Sequence, residues 1–160
     1  MIVKGNAMNT FTYKSHSPEE TMAVGQALAH FFHPGDVITL EGDLGAGKTH
    51  FTKGIAKGLG ITRVVNSPTF TIIKEYKGLL PLYHMDAYRL ESEEEDLGFE
   101  EYFTGEGITV VEWPSKIESI LPDEKLVVTI TLGEEADTRS IRFTPVGNRY
   151  ISLCKEFENR

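Results

Sequence analysis

Residues 37–49 read Val37-Ile38-Thr39-Leu40-Glu41-Gly42-Asp43-Leu44-Gly45-Ala46-Gly47-Lys48-Thr49. Residues 37–40 form a largely β-branched run of the kind that suits a strand buried on both faces. Residues 42–49 fit the pattern Gly-x-x-x-x-Gly-Lys-Ser/Thr, a phosphate-binding loop. A helical pattern follows over residues 48–59 and is closed by Gly60. Each residue type in the loop has a physical reason. Glycines let the backbone turn its N–H groups toward phosphate oxygens. The helix that follows points its partial positive charge at the same anion. Lys48 has the length to reach the β- and γ-phosphates, and the Thr49 hydroxyl suits Mg²⁺.

A phosphate cradle of this kind works with a carboxylate at the end of a neighbouring strand. Leu82-Tyr83-His84-Met85-Asp86 is a mostly apolar strand ending in Asp, and Ile108-Thr109-Val110-Val111-Glu112 is a more apolar one ending in Glu. Both acids stand where open α/β sheets bind ligands, at carboxyl ends of strands. Either suits Mg²⁺, directly or through water, and the other suits orientation of an attacking water. Ser67-Pro68-Thr69 lies between the loop helix and the next strand, and its hydroxyls suit a segment that senses the γ-phosphate. His84 has no Cys or His at metal-ligand spacing and reads as a packed strand residue.

The remaining elements follow from periodicity. Residues 11–15 read as a short strand. Ser17, Pro18 and Glu20 mark a helix start, and that helix carries Met22, Val24, Ala27, Leu28 and Phe31 before stopping at Pro34-Gly35. Residues 70–76 and 79–85 read as strands around a turn at Lys77-Gly78, and residues 126–132 and 140–144 as a late hairpin. The acidic run over 91–96 reads as a solvated helix start near Ser92. The pattern is α/β with a mixed sheet, because the late strands follow each other without a helix between them.

The chain has 160 residues, the length of one domain, and residues 1–8 are expected to be a flexible extension ahead of it. Its 16 Lys+Arg against 24 Asp+Glu leave a net charge of −8, which argues against a protein that grips nucleic acid or an anionic membrane by bulk charge. A single cysteine, Cys154, excludes an internal disulfide and fits a reducing compartment. No run of 18 apolar residues suits a membrane span.

Four segments taken together carry a family resemblance: Gly42–Thr49 as quoted, Asn66-Ser67-Pro68-Thr69-Phe70-Thr71, Leu82-Tyr83-His84-Met85-Asp86-Ala87-Tyr88-Arg89-Leu90, and Val110-Val111-Glu112-Trp113-Pro114. In order and spacing, over roughly residues 11–146, they resemble the TsaE (YjeE) family of small bacterial P-loop ATPases. The resemblance implies a three-layer P-loop fold and a Mg²⁺-dependent ATPase that is weak alone and stimulated by partners. It implies a role in the threonylcarbamoyl modification of tRNA adenosine 37, with TsaB and TsaD as partners and TsaC upstream. Contact with tRNA is then indirect, and the location cytoplasmic. It implies that Gly45, Ala46, Gly47, Lys48, Thr49 and His50 bind ATP, that Thr49 and Glu112 hold Mg²⁺, and that Asp86 positions water. Lys48, Asp86 and Glu112 are thus the catalytic set. Ser67 and Thr69 fall in a switch-like loop, and Trp113 lies beside the nucleotide or in the core. Pro18 and Thr21 at the first helix, and an arginine on the late hairpin, taken as Arg139 rather than Arg142, complete the nucleotide contacts.

A small-molecule kinase is the alternative reading of the same loop. Kinases of that kind hold two anionic substrates with an arginine-rich lid, and the six arginines here, Arg63, Arg89, Arg139, Arg142, Arg149 and Arg160, form no such segment. A GTPase is disfavoured because no Asn-Lys-x-Asp occurs and Asp86-Ala87-Tyr88-Arg89 departs from Asp-x-x-Gly.

Overall fold

Ser17 starts the first long helix by the expected chemistry. Its hydroxyl accepts from Glu20 N–H at 3.0 Å, Pro18 occupies the first turn, and the Glu20 carboxylate accepts from His16 N–H. The computed structural model describes the backbone of residues 2–4 and, in full, residues 10–42, 45–65, 73–87 and 98–160. Its strands are β1 (Ile2–Lys4), β2 (Phe11–Ser15), β3 (Val37–Glu41), β4 (Ile73–Tyr76), β5 (Leu82–Asp86), β6 (Ile108–Glu112), β7 (Lys125–Leu132) and β8 (Arg139–Val146). Its helices are α1 (Pro18–Ala29), α2 (Lys48–Gly58), α3 (Phe99–Phe103) and α4 (Asn148–Glu158), with a 3₁₀ segment over Pro114–Ile120.

The strands form one sheet in the order β1-β2-β8-β7-β3-β6-β5-β4. The four central strands, β7, β3, β6 and β5, are parallel, and antiparallel pairs flank them on both sides. The mixed sheet with late antiparallel strands is therefore as the sequence reads. Alternation along the strands divides the core. Ile38, Leu40, Val110, Leu126 and Val128 pack with α1, α2 and α4 on one face. Val37, Met85 and Val111 pack with α3 and Ile117 of the 3₁₀ segment on the other. Helical elements on both faces give the three layers.

The structure differs from expectation at several elements: the first long helix ends at Ala29, β5 begins at Leu82, and α3 and the 3₁₀ segment are additional. Residues 2–4, read as part of an extension, pair with Phe11–Tyr13 as an edge strand, β1. The chain beyond Arg149, outside the resemblance, forms α4. Its Tyr150, Leu153, Cys154 and Phe157 are buried at the spacing of one helix face. The stretch over 91–96, and residues 70–72 of the strand read over 70–76, lie outside the described residues.

Helix α4 pins the start of β3. Arg149 donates to both Asp36 oxygens, at 3.1 and 2.7 Å, and to Phe31 O at 2.9 Å. Its hydrogen bonds to Asp36 raise the guanidinium pKa further. The Tyr150 hydroxyl meets Val37 N–H at 2.8 Å. Phe157 joins Phe11 and Phe143, whose rings stack 4.9 Å apart. Burial pushes the Cys154 thiol up to about 12, as an inert thiol requires.

Helices α1 and α2 pack in near-backbone contact. A Cβ on Gly54 would overlap Met22 O, and one on Gly58 would lie 2.6 Å from Gln26 O. Backbone cannot swing aside as a side-chain tip can. The overlap costs up to about 3 kcal/mol against a gain of roughly 1 kcal/mol in helix propensity, so Gly54→Ala is expected to destabilise by about 1–2 kcal/mol net. A thermal melt should fall by roughly 2–10 °C; an unchanged or raised midpoint would contradict the packing argument.

Candidate functional site

The site grows from the carboxyl ends of three adjacent parallel strands. Leu40 of β3 is the register partner of Glu112 on β6, and Glu112 is the partner of Asp86 on β5. Neighbouring strands lie about 4.8 Å apart, so the two acids and the strand that feeds the loop finish side by side. Glu112 is 3% exposed, which makes it a buried carboxylate, whereas Asp86 is half-buried.

Beyond β3 the chain turns through glycines. Gly42, Gly45 and Gly47 have φ of +145°, +79° and +109°, a region that L side chains rarely adopt. Among the described residues, none lies within 4 Å of where a Cβ on Gly45 would stand. Gly47 stands at the N-terminus of α2, and no side chain among the described residues caps the helix amides there. Those amides are the donors an anion would use. Lys48 is 6% exposed and curls back so that Nζ donates to Gly42 O at 2.8 Å. Thr49 and His50 follow in the first turn, half-buried. Ala46 is fully buried and anchors the loop in the core.

Trp113 lies at the site. Its backbone is left-handed (φ 59°), the one such non-glycine residue among those described. Its ring centre is 3.8 Å from Lys48 Nζ, a cation–π distance. Of the two positions open to it, the structure gives the one beside the loop.

Three further elements brace the loop. Arg139 donates from Nε to Ala46 O at 3.0 Å and from Nη2 to Gly45 O at 3.4 Å, while Nη1 holds Ala136 O and Thr138 O of its own hairpin. Arg142 is exposed farther along β8. Gly42 lies so close to β7 that a Cβ there would overlap Ile130 O. On the α1 side, the Thr21 methyl would lie 3.7 Å from a Cβ on Gly47, and its hydroxyl is bonded to Ser15 Oγ at 2.7 Å. Pro18, at the start of the same turn, is exposed. Ser67 and Thr69 lie outside the described residues, as do Asp43 and Leu44.

One site contact escaped the sequence reading. His84 is a fully buried strand residue, as expected, but its Nε2 lies 2.6 Å from Glu112 Oε2. The signal was available: residues two apart on a strand share a face, so His84 stands beneath Asp86 and next to the Glu112 strand.

Because Arg139 holds loop carbonyls and Arg142 does not, the two variants should separate. Arg139→Ala is expected to destabilise the fold by about 1–2 kcal/mol, the worth of a charge-assisted hydrogen bond to a partly buried carbonyl. Arg142→Ala should leave its stability unchanged. Thermal melts check this, and equal midpoints for both variants would show that Arg139 does not brace the loop.

Known proteins resemble the chain in sequence and in fold. Residues 15–141 match the family described as threonylcarbamoyl adenosine biosynthesis protein TsaE. The chain is 60% identical over 150 residues to the tRNA threonylcarbamoyladenosine biosynthesis protein TsaE of Bacillus subtilis, covering 93% of this chain and 94% of that one. It is 43% identical to the protein of the same name from Treponema pallidum, covering 88% and 97% of the two chains. The crystal structure of Bacillus subtilis YdiB superposes with a TM-score of 0.86 at 52% identity, over 97% of this chain and 98% of that one. On its sequence and its fold alike, the chain belongs to the TsaE family of threonylcarbamoyladenosine biosynthesis proteins.

Proposed function

We propose that this chain is a Mg²⁺-dependent ATPase of the cytoplasm that acts with TsaB and TsaD, downstream of TsaC, in the threonylcarbamoyl modification of tRNA adenosine 37. The observation that carries the ATPase reading is the row Leu40–Glu112–Asp86, which sets two carboxylates beside the loop of Gly45, Ala46, Gly47, Lys48 and Thr49. The donor set fits the ligands. Uncapped α2 amides and Lys48 suit phosphate oxygens. Thr49, Glu112 and Asp86 offer hard oxygens, the type Mg²⁺ takes. No group of three or more His, Cys, Asp or Glu side chains forms a metal cage among the described residues. That suits Mg²⁺, which binds through one or two carboxylates together with substrate phosphates.

In this reading Lys48 and the loop amides bind the β- and γ-phosphates and stabilise the charge that develops as the terminal phosphoryl group leaves. Thr49 and Glu112 hold the metal, and Asp86 orients the attacking water. When bound, Mg²⁺ neutralises phosphate charge and fixes its geometry. The net charge of −8 supports indirect rather than direct contact with tRNA. Among the described residues no helix is long and apolar enough to cross a membrane. An arginine-rich lid, which the kinase alternative needs, has no counterpart in the sequence.

The test is ATP hydrolysis with and without a TsaB–TsaD complex. Turnover is expected to be slow alone and to rise with the partners. Lys48→Ala should lower it by about 100-fold, the scale of losing one electrostatic stabiliser of a transition state. Glu112→Ala should abolish its response to Mg²⁺. Undiminished hydrolysis in Lys48→Ala would refute the site, and modification over repeated cycles that is equal with and without this chain would refute the role.

A further inference from the structure

The hydrogen bond between His84 and Glu112 is a buried polar contact that the proposed reaction leaves without a role. Both side chains are out of water, at 0% and 4% exposure, and the Nε2–Oε2 distance of 2.6 Å puts them in direct hydrogen-bond contact. His84 sits one pleat below the Asp86–Glu112 row, with Val110 as its register partner. Around it, Leu82, Ile108 and Val110 are fully buried apolar residues. A polar ring in such surroundings is costly unless its bonds repay the lost hydration, and an apolar side chain would fill the space at no such cost. The carboxylate only accepts, so Nε2 carries the ring proton and donates. The other nitrogen, Nδ1, is buried with no hydrogen-bond partner among the described residues. The ring is therefore oriented toward Glu112 and toward no other polar group that the structure describes.

We propose that His84 is a positioning residue for the metal: by donating Nε2–H to Glu112 Oε2 it fixes the rotation of that carboxylate in the orientation that binds Mg²⁺. This rests on the Mg²⁺–nucleotide reading given above. Carboxylates that ligate metals are commonly held by such outer hydrogen bonds, and losing one costs roughly 10–100-fold in metal affinity.

The experiment titrates Mg²⁺ into protein with ADP, following ADP affinity by calorimetry, with parallel titrations in EDTA. It compares wild type, His84→Gln, His84→Leu and Glu112→Ala. Gln places an amide N–H near the position of Nε2, whereas Leu fills the volume without a donor. In EDTA, ADP affinity is expected to be the same in wild type and both His84 variants. The Mg²⁺ midpoint should rise by about tenfold or more in His84→Leu and return close to wild type in His84→Gln. Should His84→Leu fail to fold, His84→Asn replaces it, since its shorter amide does not reach the Nε2 position and the same rise is expected.

A wild-type Mg²⁺ midpoint in the donorless variant overturns the proposal. So does an equal loss in Gln and Leu that persists in EDTA, which would mean that the ring only packs. The underlying reading fails in a different way: wild type and Glu112→Ala would then respond alike to Mg²⁺, and this inference would fall with it.

Discussion

The parallel register of β3, β6 and β5 is the constraint on which the rest depends. It sets Leu40, Glu112 and Asp86 level at the carboxyl edge of the sheet. A slip of one residue in β6 would turn Glu112 to the opposite face and send Val111 to the α2 side, exposing every apolar side chain of that strand to the wrong layer. A slip of two would keep the face but move the acid by about 6.6 Å along the strand, out of line with its neighbours. The apolar alternation that fills the two cores thus also fixes where the acids stand. Packing and site geometry are specified by the same residues.

The described glycines of the loop, Gly42, Gly45 and Gly47, all have positive φ. The loop's shape is imposed by neighbours on several sides. Ile130 of β7 closes against Gly42, Arg139 of β8 holds the carbonyls of residues 45 and 46, and Thr21 of α1 sits against Gly47. Helix α1 is in turn locked to α2 through glycines at the crossing. At the other end of β3, Asp36 is gripped by Arg149 and Val37 N–H by Tyr150. The strand that feeds the loop is consequently fixed at both ends, and the late hairpin and α4 serve the site without contributing to the motif that defines it.

The sequence was most legible where chemistry leaves few choices. Gly47-Lys48-Thr49 and the carboxylates closing two apolar strands are the residue types that the proposed phosphate and metal binding would require, and Ser17 with Glu20 are those that satisfy orphan helix amides. It was least legible where a residue's role depends on what lies across the sheet. His84 reads as packing from its own strand, because the Glu112 that gives it a role is 28 residues away. The two arginines of the hairpin look alike until the strand's reach toward the loop is known. Helix α4 shows a clear apolar stripe at Tyr150, Leu153, Cys154 and Phe157, but it lies beyond the motifs, and its grip on Asp36 and Val37 depends on contacts more than 100 residues apart. Strand β1 has only three residues, too few for periodicity to register.

The most direct test of the whole arrangement is a crystal structure of this chain with Mg²⁺ and a non-hydrolysable ATP analogue. The β- and γ-phosphate oxygens are expected on the amides of residues 45–49 and on Lys48 Nζ. The metal is expected at about 2.1 Å from the Thr49 hydroxyl and a Glu112 oxygen, with His84 Nε2 still bonded to that carboxylate. Phosphates bound away from α2, or a metal that leaves Glu112 untouched, would contradict this arrangement.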